Sequence, residues 1–276
     1  MHDQEYVRGV QFVLQQGLIK SDRTGVGTVS ATGLQLRFDL REGFPLLTLK
    51  QVPFRVVAVE LQWFLRGETQ VKWLQDRKVF IWDDDASKAA SRGFQYPEGE
   101  LGPIYGSQWR AWNGTIDQIA NLEHLIKTDP ASRRMIVSAW NVEALPKMVL
   151  PPCHNMFRVL INAPFMDMVV NMRSGDMGLG IPFNMASYGL LLSLLSHVHG
   201  YVPRFLIINV ADAHIYQNHL QGMQELIART PLTTPELYIP NTITSLQDFQ
   251  DYDPGQLLSF IQNYKSHGKI FLPLNT

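Results

Sequence analysis

Apolar residues recur along this chain at two different spacings, which predict a mixture of helices and strands. Residues 6–14 carry apolar side chains at helical spacing, and Gly17 follows them as a stop signal. Residues 29–38 instead alternate apolar side chains with small and polar ones, as a strand does. Helical spacing returns over residues 56–65 and ends at Gly67. The pattern therefore predicts a helix, a strand and a second helix in the first quarter of the chain.

The remainder of the pattern indicates an α+β protein with one mixed sheet. Helices and strands interleave without a regular βαβ repeat, which disfavours a doubly wound fold. The polar segment 83–102 contains three successive Asp residues and has no apolar period, so we expect a long surface loop. No repeat or linker divides the sequence, and a single domain over residues 1–276 is expected. The further predicted elements are helices at 116–127 and 185–198 and strands at 135–140, 156–161, 166–172 and 205–210.

Composition narrows the class of protein. Apolar residues form 45% of the 276 positions and charged residues 18%, so the chain can bury a large core and disorder is excluded as its main state. The net charge of −1 removes the electrostatic attraction that binding to nucleic acid requires. No run approaches the roughly 20 apolar residues of a membrane span, and the acidic start does not resemble a signal peptide. We expect a soluble cytoplasmic protein with no nucleic-acid or membrane partner.

The single cysteine is the first candidate for chemistry. Cys153 follows two prolines and precedes His154, so its backbone is stiffened and an imidazole lies nearby. A lone cysteine is often a small buried apolar residue, and that alternative stays open. Arg173 would favour a thiolate nucleophile if the strand that carries it lies alongside. One cysteine cannot form an internal disulfide, which agrees with a reducing compartment.

Three further patterns have both a structural and a functional interpretation. Arg133 and Arg134 form either an anion site or a solvated pair at the start of a strand. The glycine-containing segment 22–28 is either a phosphate loop or a plain turn, and it matches no established phosphate-loop motif. His214 and Tyr216 share one face of an extended strand, where they could bind a sugar hydroxyl or pair with each other. The histidine spacings match no metal site, so no metal is expected.

Taken together, the motifs resemble the thymidylate synthase family along nearly the whole chain. No single coincidence explains so many matching segments in this order. The segments are Asp22-Arg23-Thr24-Gly25, Glu60-Leu61-Gln62-Trp63-Phe64-Leu65, Ile81-Trp82-Asp83, Leu101-Gly102-Pro103-Ile104-Tyr105-Gly106, Ser132-Arg133-Arg134, Pro151-Pro152-Cys153-His154, Arg173-Ser174-Gly175-Asp176, Gly180-Ile181-Pro182-Phe183-Asn184 and Asp212-Ala213-His214-Ile215-Tyr216.

The resemblance implies the family's α+β fold, with a mixed sheet packed against helices and a homodimer formed through the sheet. It implies an enzyme that transfers one carbon from the co-substrate 5,10-methylenetetrahydrofolate to carbon 5 of dUMP. Cys153 is the implied nucleophile, because addition of a thiolate to carbon 6 of the uracil ring makes carbon 5 reactive. No metal takes part in the implied reaction.

The resemblance also implies which residues hold the nucleotide phosphate. On this chain they are Arg23, Arg173 and Ser174, joined by Arg133 and Arg134 of the partner subunit. Several charge-assisted hydrogen bonds are needed because the phosphate is a dianion.

Other matched residues receive roles around the nucleotide base and sugar. Asn184 is implied to bind the uracil base, because its amide can both donate to and accept from the ring. His214 and Tyr216 are implied to bind the 3′-hydroxyl of the sugar.

The last group of implied roles concerns proton transfer and the folate. Glu60 and His154 would organise proton transfer through water, and Tyr105 would assist removal of the carbon 5 proton. Asp176 would contact the pterin ring. Trp82 would shield the reactive intermediate and contact the folate.

Several positions depart from the synthase pattern. Met172 and Arg158 stand where synthases carry Gln, and both positions are expected to neighbour the active site. Residues 169–174 look more like those of the phage hydroxymethylases of the same family. The end of the chain, 271–276, lacks the usual apolar terminus, which predicts a less complete seal and a path for water.

These departures lead to the expectation of a deoxyuridylate hydroxymethylase of phage-like origin, acting in the host cytoplasm, which adds water to give 5-hydroxymethyl-dUMP. The alternative is thymidylate synthase, which makes dTMP and dihydrofolate. Trp82 and Leu150 favour this alternative, since they match positions that shield the intermediate from water. A binding-only homologue is a third possibility, disfavoured because Cys153 and the arginines are present.

Overall fold

A mixed sheet of six strands runs through the computed structural model, which describes residues 2–22 and 24–275. Within these ranges the strand order is β1-β2-β6-β5-β4-β3, and β5 and β6 form its parallel pair. The strands of this sheet are β1 (Leu18–Lys20), β2 (Thr28–Asp39), β3 (Ile136–Ser138), β4 (His154–Asn162), β5 (Phe165–Asp176) and β6 (Val202–Tyr216). A separate small antiparallel pair is formed by β7 (Glu236–Leu237) and β8 (Ile261–Gln262).

Helices cover one face of the sheet and contribute most of the core. The α-helices are α1 (His2–Gln16), α2 (Phe54–Leu65), α3 (Lys72–Gln75), α4 (Asp83–Ser87), α5 (Tyr105–Ala111), α6 (Gln118–Thr128), α7 (Gly180–His199), α8 (Leu220–Ala228) and α9 (Leu246–Gln250). Short 3₁₀ helices occur at Leu40–Glu42, Ala90–Arg92, Leu145–Lys147, Gln217–His219 and Leu257–Phe260. The predicted α+β class with one mixed sheet is confirmed.

Helix α7 is the central helix of the core. It connects the parallel strands β5 and β6 and packs against both of them, while α2 packs against α7 from the other side. The residues of α7 from Met185 to Ser196 are all buried, so this helix is apolar all round rather than amphipathic. By length and composition α7 could cross a membrane, but 78% of its apolar window is buried inside the protein. Its apolar surface is therefore already covered by the fold.

Strand register brings three distant segments to one edge of the sheet. The backbone N–H of Arg173 on β5 donates to the carbonyl oxygen of Cys153, directly before β4 (2.8 Å). On the other side of β5, Ser174 pairs with Asp212 and Asp176 pairs with His214 in β6. A register shift in β4 follows His154 and bends the strand at this edge. Backbone pairing thus brings Cys153, Arg173 and His214 to the same end of the sheet.

Two local predictions were wrong. The segment 83–102 is not a plain loop, because it contains α4 and the 3₁₀ turn Ala90–Arg92. An ion pair between Arg92 and Asp85 (2.9 Å) satisfies polar groups within the segment and allows Asp85 to be buried. Arg133 and Arg134 lie in a turn and not at the start of a strand, since β3 begins at Ile136.

Candidate active site

A cavity of about 670 Å³ opens beside the start of β4 and the last residues of β5 and β6. Most of the residues assigned to substrate binding from the sequence line it, together with the candidate nucleophile. The lining residues are Lys20, Ser21, Asp22, Thr24, Thr28, Trp140, Leu150, Pro151, Cys153, Met172, Arg173, Ser174, Gly175, Asp176, Gly180, Asn184, Asp212, His214 and Tyr216.

The Arg173 guanidinium is fixed beside the sulfur of Cys153. Its Nη2 lies 3.6 Å from the Cys153 Sγ, and the same nitrogen donates to the carbonyl oxygen of Pro151 (2.8 Å). Its Nε donates to the carbonyl oxygen of Pro152 (2.9 Å). A fixed positive charge at this distance stabilises negative charge on the sulfur. The arrangement therefore favours the thiolate, which is the nucleophilic form of cysteine.

Two aromatic groups lie behind the cysteine. The backbone N–H of Cys153 donates to the hydroxyl of Tyr105 (2.7 Å), and the Tyr105 ring stacks on the His154 imidazole with 4.1 Å between ring centroids. A hydrogen bond of 2.7 Å joins His154 Nδ1 to the Tyr188 hydroxyl. Burial lowers the pKa of His154 to about 3 and raises the pKa of Tyr105 well above its ordinary value. His154 is consequently neutral at physiological pH and fixes the position of the strand start.

Burial brings the pKa of Glu60 close to 7. It lies in α2, where it is buried, and the Trp82 indole Nε1–H donates to its Oε1 (2.8 Å). Burial raises the pKa of Glu60 from 4.5 to about 7, because desolvation outweighs the hydrogen bond from Trp82. Of Glu60 and His154, the carboxyl is the group able to exchange a proton near pH 7.

The polar side of the cavity is formed by the last residues of β5 and β6. The Ser174 hydroxyl lies 3.4 Å from His214 Nδ1, and the same nitrogen is 3.4 Å from the Asp212 carboxylate. The rings of His214 and Tyr216 meet edge to face with 5.3 Å between centroids. His214 and Tyr216 lie two positions apart in β6, so their side chains are on the same face of the strand. Both line the cavity.

Asn184 and Asp176 also line the cavity, and Asp176, the last residue of β5, pairs with His214 in β6. Asn184 lies in the first turns of α7, one turn before Tyr188, so one helix face serves both the cavity and His154. The Asp176 carboxylate accepts hydrogen bonds from the backbone N–H groups of Gly178 (2.8 Å) and Leu179 (3.2 Å). These bonds leave further acceptor positions on the carboxylate for a ligand.

Six sequence-based candidates within the described ranges do not line this cavity: Glu60, Trp82, Tyr105 and His154, which are buried, and Arg133 and Arg134. Arg133 and Arg134 are exposed, and Arg134 borders a different groove beside α6. Arg23 lies outside the described residues. Around it, the Asp22 carboxylate accepts from the backbone of Thr24 (3.2 Å) and from that of Gly27 (2.8 Å). Those two N–H groups are thus used within the segment, which favours the plain turn over a phosphate loop.

Two further residues of the site escaped the sequence analysis. Lys50 is buried and its Nζ donates to the carbonyl oxygen of Gly178 (2.5 Å), while burial lowers the pKa of Lys50 to about 8. Trp140 lines the cavity and lies 6.0 Å from the Arg173 guanidinium. A lone lysine within the apolar run 44–52 was a signal that could have identified the first, since lysine is rarely buried.

The departures from the synthase pattern prove to lie in different places. Met172 lines the cavity, as expected. Arg158 was expected to neighbour the active site, but it is exposed and does not line the cavity formed by the described residues. At the end of the described chain Leu272 is 8% exposed, whereas Phe271 and Leu274 are 88% and 61% exposed.

Among the described residues, no group of three or more His, Cys, Asp or Glu side chains is arranged to hold a metal ion.

The α+β fold thus places the Cys153 thiol beside the Arg173 guanidinium and buries the Glu60 carboxyl next to the Trp82 indole. The family model described as "Thymidylate synthase" matches residues 4–275. Proteins named thymidylate synthase from two strains of Coxiella burnetii, Dugway 5J108-111 and RSA 331 / Henzerling II, are each 42% identical over 274 residues, covering 98% of both chains. The chain belongs to the thymidylate synthase family, and it is a folate-dependent one-carbon transferase that acts on a pyrimidine nucleotide.

Proposed function

We propose that the protein converts dUMP to dTMP, with 5,10-methylenetetrahydrofolate as co-substrate and dihydrofolate as co-product. The observation that carries this proposal is the 42% identity to proteins named thymidylate synthase over 98% of both chains. Leu150 lines the cavity and the buried Trp82 donates to Glu60, and both residues match synthase positions that shield the intermediate from water. The favoured product is therefore the alternative from the sequence analysis.

Cys153 starts the proposed reaction. Its sulfur forms a bond to carbon 6 of the uracil ring, and the electrons of the carbon 5–carbon 6 double bond form an enolate on the carbonyl oxygen of carbon 4. Carbon 5 then bonds to the methylene carbon of the folate as one carbon–nitrogen bond of that methylene breaks. Loss of the carbon 5 proton breaks the second carbon–nitrogen bond, which releases tetrahydrofolate and leaves an exocyclic methylene. Hydride from tetrahydrofolate converts this methylene to the methyl group, and departure of the thiolate from carbon 6 restores the ring double bond. The 3.6 Å contact with Arg173 stabilises the sulfur whenever it is negatively charged.

Proton transfer in this scheme is assigned to Glu60, since its pKa of about 7 lets it gain and lose a proton at physiological pH. Trp82 orients the carboxyl and shields the intermediate from water. Tyr105 positions Cys153 and assists removal of the carbon 5 proton. His154 takes a positioning role, because its pKa of about 3 keeps it neutral.

The phosphate is assigned to Arg173, Ser174 and Arg23, with Arg133 and Arg134 of the partner subunit completing the site. The exposure of the last two residues, outside the cavity of their own chain, is consistent with this role. We propose a homodimer that forms through the exposed sheet face, in which each catalytic domain spans residues 1–276. We further propose that the enzyme acts in the cytoplasm.

The base and sugar of the nucleotide and the pterin of the folate are assigned to other residues that line the cavity. Asn184 can both donate to and accept from a uracil ring, and His214 with Tyr216 offers hydrogen bonds to a sugar hydroxyl. Asp176 fits the amino and ring N–H groups of a pterin, because a carboxylate with free acceptor positions faces the cavity. Methylenetetrahydrofolate would bind beside this carboxylate.

Asn184→Asp should shift base preference from dUMP toward dCMP. A carboxyl group can accept from the exocyclic amino group of cytosine and, when protonated, donate to ring nitrogen 3. We expect the ratio of kcat/KM for dUMP to that for dCMP to fall by about 10- to 100-fold, the effect of one or two hydrogen bonds. Asn121→Asp, outside the cavity, is the matched control. An unchanged ratio in the Asn184 variant would contradict the assignment.

The fate of the folate distinguishes the two possible products. With dUMP, methylenetetrahydrofolate and enzyme, hydride transfer oxidises the pterin and raises the near-ultraviolet absorbance, whereas water addition leaves tetrahydrofolate. We expect one dihydrofolate for each dTMP, measured by absorbance and by mass spectrometry of the nucleotide. A tenfold bias requires a difference of only about 1.4 kcal/mol between the barriers. Formation of 5-hydroxymethyl-dUMP as the main product would overturn the proposal and assign Met172 the deciding role.

A further inference from the structure

Near the end of the described chain, Leu272 packs against α8 and against the loop that follows Asp176. We call residues 270–275 the C-terminal strap. Leu272 is 8% exposed, and the strap passes so close to α8 that a Cβ placed on Gly222 would lie 2.7 Å from Leu272 and 2.9 Å from Ile270. A Cβ on Gly178 would lie 3.3 Å from Leu272 and 3.2 Å from Asp176 Oδ1. The strap therefore contacts the loop that positions the proposed pterin ligand.

A buried imidazole connects the strap to the protein. His219 is completely buried, and its Nε2 lies 2.6 Å from the carbonyl oxygen of Pro273. A carbonyl oxygen only accepts hydrogen bonds, so Nε2 must carry the proton. Beside this bond, the side-chain amides of Asn218 and Asn275 donate to each other (3.0 and 3.2 Å). The strap is thus held by directional hydrogen bonds as well as by Leu272.

The other nitrogen of the same ring faces Asp176. His219 Nδ1 is buried without a hydrogen-bond partner among the described residues, and it lies 3.9 Å from Asp176 Oδ1. A Cβ on Gly178 would come within 2.7 Å of this nitrogen, so a side chain there would displace the ring. The imidazole therefore fills the space between the strap and the Asp176 carboxylate. Displacement of the buried ring would therefore move its contact with Pro273.

We propose that His219 is a positioning residue that fixes the strap against the Asp176 end of the cavity and thereby supports folate binding. The Nε2–H bond to Pro273 sets the position of the strap, and the buried ring makes that position depend on Asp176. The inference rests on the proposed function only for the statement that Asp176 binds the pterin. The connection between His219 and the strap stands on the structure by itself.

Two replacements of His219 distinguish the roles of its two ring nitrogens, Nε2 and Nδ1. The amide nitrogen of Gln can occupy the position of Nε2, whereas that of Asn reaches only the position of Nδ1. We expect His219→Asn to speed release of Asn275 and Leu274 by carboxypeptidase about fivefold, the factor for one lost hydrogen bond of ordinary strength. His219→Gln should stay closer to the wild-type rate. His124→Asn, at an exposed position in α6, is the matched control and should not change it.

Kinetics provide a readout that loss of stability alone would not produce. His219→Asn should raise the KM for methylenetetrahydrofolate about fivefold or more, with the dissociation constant for dUMP unchanged in the absence of folate. His219→Gln should restore most of the KM. Equal effects of both variants on both ligands would overturn the positioning role.

A measurement on the unmodified protein keeps the inference testable if both variants unfold. ¹⁵N NMR of the histidine side chains should show His219 as the Nε2–H tautomer, with a proton that exchanges slowly with solvent. A proton on Nδ1 only, or wild-type rates of strap release in His219→Asn, would overturn the inference. If the wild-type enzyme makes no dTMP while the strap results hold, the proposed function fails and the role of His219 in holding the strap survives.

Discussion

Replacement of Cys153 by Ser should lower kcat by on the order of 10⁴- to 10⁶-fold, the loss typical of a removed nucleophile. A hydroxyl is almost entirely un-ionised at neutral pH, and the Arg173 guanidinium 3.6 Å away stabilises charge on sulfur that the serine does not carry. The variant keeps nearly the same shape, so its dissociation constant for dUMP should change by no more than about twofold. Steady-state turnover and equilibrium binding measure the two quantities separately.

The cysteine experiment has an internal control because the chain has one cysteine. Alkylation of the wild-type thiol should inactivate the enzyme, and bound dUMP should protect it, whereas Cys153→Ser should take up no label. Mass spectrometry of the wild-type protein with a mechanism-based pyrimidine should detect one covalent adduct per chain. Turnover by the serine variant at the wild-type rate would exclude the covalent mechanism.

Replacement of Glu60 by Gln should lower activity strongly and, in contrast, stabilise the protein at alkaline pH. Burial raises the pKa of Glu60 from 4.5 to about 7. Below pH 4.5 the carboxyl is protonated in both the folded and the unfolded state, so its ionisation has no effect on stability. Between pH 4.5 and 7 the unfolded state loses the proton first, and wild-type stability falls as pH rises. The shift of 2.5 pKa units corresponds to about 3 kcal/mol above pH 7.

The expected result is a free energy of unfolding for Glu60→Gln that exceeds the wild-type value by about 3 kcal/mol more at pH 8 than at pH 4. Urea denaturation at both pH values measures this difference. Glu98→Gln, at an exposed position, is the matched control and should show no such pH dependence. A difference that stays constant from pH 4 to pH 8 would mean that Glu60 is ionised like an exposed carboxyl, and the proton-transfer assignment would then lose its basis.

The pH dependence of activity should also reflect the ionisation of Glu60. If Glu60 exchanges the proton, the wild-type kcat should depend on a titration near pH 7, and this dependence should be absent from the residual activity of Glu60→Gln. In that variant the Trp82 indole can still donate to the carbonyl oxygen of the introduced amide, so the pocket should keep its shape. The comparison thus tests the proton rather than the packing.

Segments with a strong local signal could be predicted from the sequence. The apolar spacing of residues 6–14 and 185–198 predicted α1 and α7, because a helix with a buried face or a buried interior repeats with the same period wherever it occurs. The spacing of His214 and Tyr216 predicted that both side chains share one face if the segment is extended, and β6 has this arrangement. Order, spacing and residue type were sufficient there, since each signal lies within one element.

The wrong predictions concern positions where polar residues find partners within the fold. Segment 83–102 was expected to be a loop because it is polar, but Asp85 is buried through its ion pair with Arg92. Arg158 was expected near the active site because synthases carry Gln at the matching position, yet it lies on the exposed face of β4. Composition shows that a residue is polar, whereas its partner and the face it occupies depend on the register of neighbouring strands.

The family and the α+β class were predicted from the sequence alone, because motifs and periodicity are local properties that survive without coordinates. Cys153 as the nucleophile stays a prediction. The protonation states of Glu60 and His154 required the folded structure, since each depends on burial by segments distant in the chain. The same holds for the contacts of Lys50 and His219 with the loop after Asp176, and for the packing of the strap. Desolvation and hydrogen bonding depend on neighbours in space, and the sequence pattern does not indicate which residues those neighbours are.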